Sequence, residues 1–211
     1  GKVVLTTNNT DYQPFMTYAK SSTAREALWK VYRLRGHPKN LPVLARLLEA
    51  RRELAGLLGF STWADYITGD KMIATRKNAA DFIERISKAA ARRAASDYAQ
   101  ILARKRRDTP RASAVDAWDS AYLQEKVKAE EYNFDSQSVR PYFEYSRVKQ
   151  GVMDISSKLF GVTFRPVRDG AVWHQDVEVF EVLEGERAIG RIYLDMYPRE
   201  NKYKHYAQFT L

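Results

Sequence analysis

The period of the hydrophobic pattern changes once, at Gly161, and that change decides the fold class. From about residue 11 to 160, apolar residues recur at three- and four-residue spacing, which puts them on one face of a helix. Leu41, Leu44, Leu47, Leu48, Leu54, Leu57 and Leu58 form one such stripe, and Gly59 stands where a left-handed residue ends a helix. An earlier helix runs through Ala27, Leu28, Val31 and Leu34, with Ser22 or Thr23 as its cap and Gly36 and Pro38 as its stop. Asn78, with Asp81 three residues on, opens a long helix that ends in Arg104-Lys105-Arg106-Arg107, before Asp108-Thr109-Pro110. Two more helices are predicted, over about Ala112–Tyr132 and Gln137–Phe160.

Beyond Gly161 the spacing is that of strands. Val177, Val179 and Leu183 alternate with Glu178 and Val182, and Glu184-Gly185-Glu186-Arg187 turns the chain. Ala188, Gly190, Ile192, Leu194 and Met196 then share one face, Arg191, Tyr193, Asp195 and Tyr197 share the other, and Pro198 ends the strand. Ala207, Phe209 and Leu211 alternate with polar residues and predict a third strand. The expected fold is α+β and predominantly helical: a multi-helix body over 1–160 followed by a small antiparallel β-meander over 161–211. The chain begins at an extended-looking Val3-Val4-Leu5-Thr6-Thr7 and stops within the terminal alternation, so it is expected to be a piece of a longer protein.

Composition narrows the function. With 35 Lys+Arg against 26 Asp+Glu the formal charge is +9, and 45% hydrophobic residues exclude a disordered chain. The longest stretch without a charge, Leu54–Ala64, is far short of the ~18 apolar residues of a membrane helix, so no membrane partner is expected. There is no cysteine, which excludes disulfides and thiolate chemistry and favours a reducing, cytoplasmic setting. His37, His174 and His205 are scattered, with no pair at the i, i+4 spacing of a helical zinc site. His174, in Trp173-His174-Gln175-Asp176, reads as a hydrogen-bonded structural residue, the competing reading being a His–Asp acid/base pair with no nucleophile nearby. Phosphate-loop and hydrolase-elbow motifs are absent. The basic run Arg104–Arg107 reads as a solvated helix end facing the negative pole of the helix dipole, against the alternative of a phosphate-binding patch. Trp118 and Tyr122 read as core packing. From the residues alone, this is an α+β piece with no catalytic residue and no metal site.

Several strings taken together resemble one family. They are Asp11-Tyr12-Gln13-Pro14-Phe15-Met16, Asn40-Leu41-Pro42-Val43-Leu44, Arg51–Phe60, Asp70-Lys71-Met72, Ala117-Trp118-Asp119 with Tyr122, and Val139-Arg140-Pro141-Tyr142-Phe143. The most specific are Val172-Trp173-His174-Gln175-Asp176-Val177 and the run from Gly190 to His205. In number, order and spacing they resemble the thimet oligopeptidase/oligopeptidase A family of zinc metallopeptidases. The resemblance implies a central slice of such an enzyme, ending before the family's H-E-x-x-H helix, so that zinc belongs to the full-length parent and none is bound here. It also implies short peptides and the remainder of the same polypeptide as partners, with no nucleic acid. The slice itself is expected to be inactive. A basic nucleic-acid-binding module and a catalytically dead scaffold are the alternative functions. Because extended peptides bind well to exposed sheet edges, the main chain around Tyr206, Ala207 and Gln208 is expected to align substrate. The competing view makes that segment an interior strand paired on both sides.

Overall fold

Hydroxyls and one carboxylate set where the helices start. Ser21 Oγ accepts the amide of Ala24 at 3.2 Å, Thr62 Oγ1 that of Asp65 at 3.2 Å and Thr75 Oγ1 that of Asn78 at 3.1 Å. A Glu144 carboxylate oxygen accepts the amide of Arg147 at 3.1 Å. Each of these bonds satisfies one of the free donors that every helix leaves at its first turn. The computed structural model describes residues 3–168 and 170–210. Its helices are α1 (Asn9–Tyr18), α2 (Ser22–Arg33), α3 (Leu41–Leu57), α4 (Trp63–Gly69), α5 (Arg76–Asp108), α6 (Ser120–Glu131) and α7 (Tyr145–Phe160). Three strands come after them: β1 (Thr163–Val167), β2 (Glu178–Glu184) and β3 (Arg187–Leu194). The helical body followed by an antiparallel sheet is the α+β fold that the change of period predicts.

Four boundaries differ from the sequence expectation, each for a local reason. Ser21 caps α2, while the neighbouring Ser22 hydroxyl is drawn into a tertiary bond. Thr75 caps α5, and Asn78 instead donates its side chain to the carbonyl of Ile73 at 3.0 Å. Residues 112–119 are not helical, because Val115 N–H is bonded to the Tyr98 hydroxyl at 3.0 Å and Asp116 to Lys105. Residues 137–144 form turns and a short 3₁₀ stretch, Arg140–Phe143, with Pro141 inside it.

The chain divides into two compact units after Asn133. The switch from helix to strand comes later, at Gly161, whose φ of +68° ends α7 in the left-handed region. Helix α7 therefore belongs with the strands.

The first unit is organised by a buried carboxylate. Asp119, 4% exposed, precedes α6 but does not cap it; Oδ1 accepts Arg25 Nη2 at 2.6 Å and Ser22 Oγ at 2.7 Å, and Oδ2 faces Lys105 Nζ at 3.1 Å. Arg25, 3% exposed, directs its other donors to the carbonyls of Ala19 and Trp118 and lies 4.2 Å from the Tyr122 ring centre. The Trp118 indole donates to Ser22 Oγ at 3.2 Å and meets Trp29 edge-on at 5.7 Å. Helices α2, α5 and α6 are thus tied at one point, where Trp118 and Tyr122 serve packing, as the sequence suggests. Met16, Ala55, Leu123 and Val127 supply the buried apolar surface of this unit.

In the second unit β2 is the central strand, antiparallel to β1 and β3, with a bulge at Val182/Leu183. The loop Gly185-Glu186 joins β2 to β3, and its glycine takes φ +59°. The third strand is β1 and not the terminal segment. Thr163-Phe164-Arg165-Pro166-Val167 contains a proline that reads against a strand, yet β1 lies at an edge, where a sheet tolerates a missing donor. Residues 206–210 join no strand, and Leu211, the last member of the predicted alternation, lies outside the described residues.

Removing one partner of a buried ion pair leaves an uncompensated charge and costs about 3–5 kcal/mol. Urea denaturation of Asp119→Ala is expected to show a loss of that size in the first unit. Burial works to raise the Asp119 pKa, but bonds from Arg25, Ser22 and Lys105 outweigh it and hold the carboxyl below its ordinary range. A depressed folded-state pKa gives stability that is complete above the unfolded value of about 4 and lost as pH falls below it. Acid titration followed by circular dichroism should therefore be steeper below about pH 4 in the parent chain than in Asp119→Asn.

Candidate functional site

The second unit carries the segment expected to meet substrate, so its two faces and its last turn define the site. One sheet face is apolar: Phe164, Ile192 and Leu194, with Met196 beyond the strand, lie opposite Tyr145, Val148, Val152 and Met153 of α7 across an open groove of about 230 Å³. Lys149 and Tyr145 fasten the helix there, Lys149 Nζ donating to Glu178 Oε1 at 2.5 Å and the Tyr145 hydroxyl to Oε2 at 3.3 Å. The other face carries a cross-strand trio. Arg165, Glu181 and Arg191 stand in direct register, and Glu181 accepts from both arginines at 2.6 and 3.0 Å. Those bonds hold the Glu181 carboxyl below its usual range.

One residue after β3, Asp195 collects four hydrogen bonds. Arg199 engages it with both terminal nitrogens, at 2.6 and 2.8 Å; Lys202 Nζ reaches Oδ1 at 3.0 Å; and the Trp173 indole donates to Oδ2 at 2.9 Å. Trp173 also stacks on Tyr193 of β3, with ring centres 5.7 Å apart. The Arg199 bonds act first in holding the Asp195 carboxyl far below the carboxylate range; partial burial opposes them, and Trp173 and Lys202 add to them. The strand pattern puts Asp195 and Tyr193 on one face but gives Asp195 no role. The available signal is an Asp at a strand end with an Arg four and a Lys seven residues on.

Tyr206, Ala207 and Gln208 come after that turn and are exposed, Tyr206 fully. The residues from 203 to 210 make no backbone–backbone hydrogen bond among the described residues. The polar contact found there is local, between His205 Nδ1 and the Tyr206 carbonyl at 2.9 Å. His174 Nδ1 accepts the Asp176 amide at 3.2 Å and lies 3.5 Å from the Asp176 carboxylate. The basic run is solvated in part: Arg106 and Arg107 are exposed as expected, whereas Arg104 is buried and Lys105 partly so. Arg104 pairs with Glu130 and Asp108, both at 2.8 Å, Lys105 with Asp116 and Asp119, Arg107 with Glu130 at 2.9 Å, and Arg106 donates to the carbonyl of Ala112. Asp108 is visible at i+4 from Arg104, but Asp116, Asp119 and Glu130 come from farther along the chain, and the run by itself does not reveal them.

Among the described residues no three His, Asp or Glu side chains converge to hold a metal ion. These residues do not fit the zinc that the resemblance implies, and no chemical step is assigned to a metal here. None of the described helices is long and apolar enough to cross a membrane.

Comparison with known proteins places the chain among peptidases. It is 31% identical over 208 residues to oligopeptidase A of Escherichia coli, covering 94% of this chain and 30% of that protein. It is 28% identical to the organellar oligopeptidase A of Arabidopsis thaliana, over 96% of this chain and 26% of the relative, and 31% identical to mitochondrial intermediate peptidase 1 of Cryptococcus neoformans, over 96% and 28%. Residues 15–211 match the pattern of Peptidase family M3, and the chain belongs to that family. It spans less than a third of the length of these curated relatives.

The indole bond from Trp173 to Asp195 is one charge-assisted contact on a partly buried carboxylate that keeps its other partners. Trp173→Phe is expected to lower the stability of the second unit by about 1 kcal/mol, measured by urea denaturation, while leaving far-ultraviolet dichroism unchanged.

Proposed function

We propose that this chain is a central part of a zinc-dependent oligopeptidase, that the whole enzyme hydrolyses peptide bonds in short peptides, and that the metal is held by residues this chain does not contain. The chain alone is read as inactive. The observation that carries the reading is the match of residues 15–211 to Peptidase family M3, together with relatives named as oligopeptidases. Unpaired N–H and C=O groups on extended chain hold a second extended chain whatever its side chains, which suits an enzyme that accepts varied peptides. Tyr206, Ala207 and Gln208 are the proposed substrate-binding positions. The remainder of the polypeptide is the proposed partner of the leucine stripe on α3, where Leu44, Leu48 and Leu57 are 50%, 56% and 78% exposed. The region boundary proposed from the sequence, at 160/161, marks the change from helix to strand. The absence of cysteine supports a reducing, cytoplasmic location.

Nucleic acid is not a proposed partner, because the strongest basic cluster is already paired inside the molecule. Fluorescence anisotropy with single-stranded RNA and duplex DNA should find only weak, salt-sensitive, sequence-independent binding, no tighter than the ~10⁻⁶ M of non-specific contacts at physiological salt. Sub-micromolar, sequence-selective binding would reverse that exclusion.

The peptide-binding role is tested in the full-length protein. Ala207→Pro removes one backbone donor, and a lost hydrogen bond of about 1–1.5 kcal/mol corresponds to roughly a tenfold fall in kcat/KM. That fall is expected with zinc content and thermal midpoint unchanged. Unaltered kinetics in a folded variant would remove the segment from the substrate site.

A further inference from the structure

Asp195 is saturated. A carboxylate offers about four acceptor positions, and here Oδ1 takes Arg199 and Lys202 while Oδ2 takes Arg199 and Trp173. Lys202 is saturated as well: its ammonium donates to the Asp195 carbonyl at 2.6 Å, to Asp195 Oδ1 at 3.0 Å and to the Tyr197 carbonyl at 2.8 Å. Asn201, at φ +59°, supplies the left-handed residue that brings Lys202 back toward the strand end. The loop from Asp195 to Lys202 is therefore closed on itself and, through Trp173, tied to the loop that precedes β2.

A single exposed ion pair contributes little to stability. The Asp195 cluster differs in its position, immediately before the exposed segment. Lys202 is the last residue before that segment with side-chain bonds back to the sheet, and residues 203–210 have no backbone bond of their own among the described residues. Tyr206 lies four residues past Lys202, a reach of at most about 14 Å for extended chain. Without the clamp the last held residue is Tyr197, whose ring meets that of Tyr145 edge-on at 5.6 Å, nine residues before Tyr206 and a reach of roughly 30 Å. The clamp thus removes most of the volume that the segment could otherwise sample.

We infer that Asp195 is a positioning residue for peptide binding, fixing through Arg199, Lys202 and Trp173 the place and direction from which Tyr203–Gln208 meets the substrate. The inference rests on the substrate-binding role proposed for Tyr206, Ala207 and Gln208. Asp195 touches no substrate; it acts on the chain that does. Because its carboxyl is held far below the carboxylate range, it stays ionised through neutral pH, and substrate affinity should show no titration from this group between about pH 5 and 8.

The test uses the full-length protein with Asp195→Ala, Asp195→Glu and Lys202→Met, the last retaining the Arg199 fork should the alanine variant fold poorly. The mobility of the segment is read from the line shape of a nitroxide attached at Thr210→Cys, hydrogen exchange in β2 checks the fold, and hydrolysis of a quenched fluorescent short peptide by the unlabelled enzymes gives kcat and KM. The expected result is a more mobile line shape with exchange in β2 unchanged, KM raised roughly tenfold with kcat within about twofold, and KM largely restored in Asp195→Glu. An unchanged line shape overturns the inference, as does a more mobile one with KM unaltered. Ala207→Pro, run in the same assay, separates the two failures. If it raises KM while the Asp195 and Lys202 variants do not, only the inference falls; if it too is silent, the substrate role of the segment falls and the inference with it.

Discussion

A buried carboxylate that accepts from three donors on two other stretches of chain holds the first unit together. Asp119 draws Ser22 and Arg25 from α2 and Lys105 from α5 to the start of α6. Such a centre is no simple substitute for apolar packing, since desolvating the charges offsets much of their attraction. It gives direction. An apolar contact between α2 and α6 would tolerate sliding, whereas the fork of Arg25 fits one placement of Asp119 and the carbonyls of Ala19 and Trp118. In this role Asp119 gives up the capping bond its position before α6 would otherwise allow, and α6 starts without a side-chain cap.

The second unit repeats the device near the surface, with Asp195 in place of Asp119. Its side chain and those of Arg199 and Lys202 are about a fifth exposed, and burial opposes the hydrogen bonds without outweighing them. Both carboxylates have depressed pKa values, but the balance differs. At Asp119 burial is the largest single influence and is overcome by bonds, while at Asp195 the Arg199 bonds lead. The first arrangement fixes helices to one another, and the second fixes a turn whose continuation makes no backbone hydrogen bond among the described residues.

How much of this is legible in the sequence depends on the range of the interaction that decides each feature. The α3 stripe ended by Gly59, the end of α5 before Thr109-Pro110 and the hairpin at Gly185 rest on spacing and local backbone preference, and all three are where the pattern puts them. β1 escapes the pattern because Pro166 weighs against a strand until it is known that the strand lies at an edge, which is a property of the sheet and not of five residues. The terminal alternation of Ala207 and Phe209 marks chain able to form a strand, but forming one needs a partner, and alternation does not provide it. Arg104 and Lys105 of the basic run read as solvated for the same reason: apart from Asp108, their counter-charges Asp116, Asp119 and Glu130 lie 11 to 26 residues away in sequence, on segments that only the fold brings alongside. The family strings, by contrast, need no folding to be read.

The candidate site obeys the same division. That Tyr206–Gln208 can present main chain is visible in the alternation, but nothing in those residues says what orients them. Orientation comes from a turn whose chemistry is written just upstream, in an Asp, an Arg and a Lys at i, i+4 and i+7, and from a tryptophan 22 residues before the Asp. A segment that binds peptides through its backbone must leave its own N–H and C=O groups unpaired, so it cannot be held by the bonds that hold ordinary strands. Its placement has to come from side chains outside it. The saturated carboxylate at the end of β3 meets that requirement without using a single backbone group of the residues it positions.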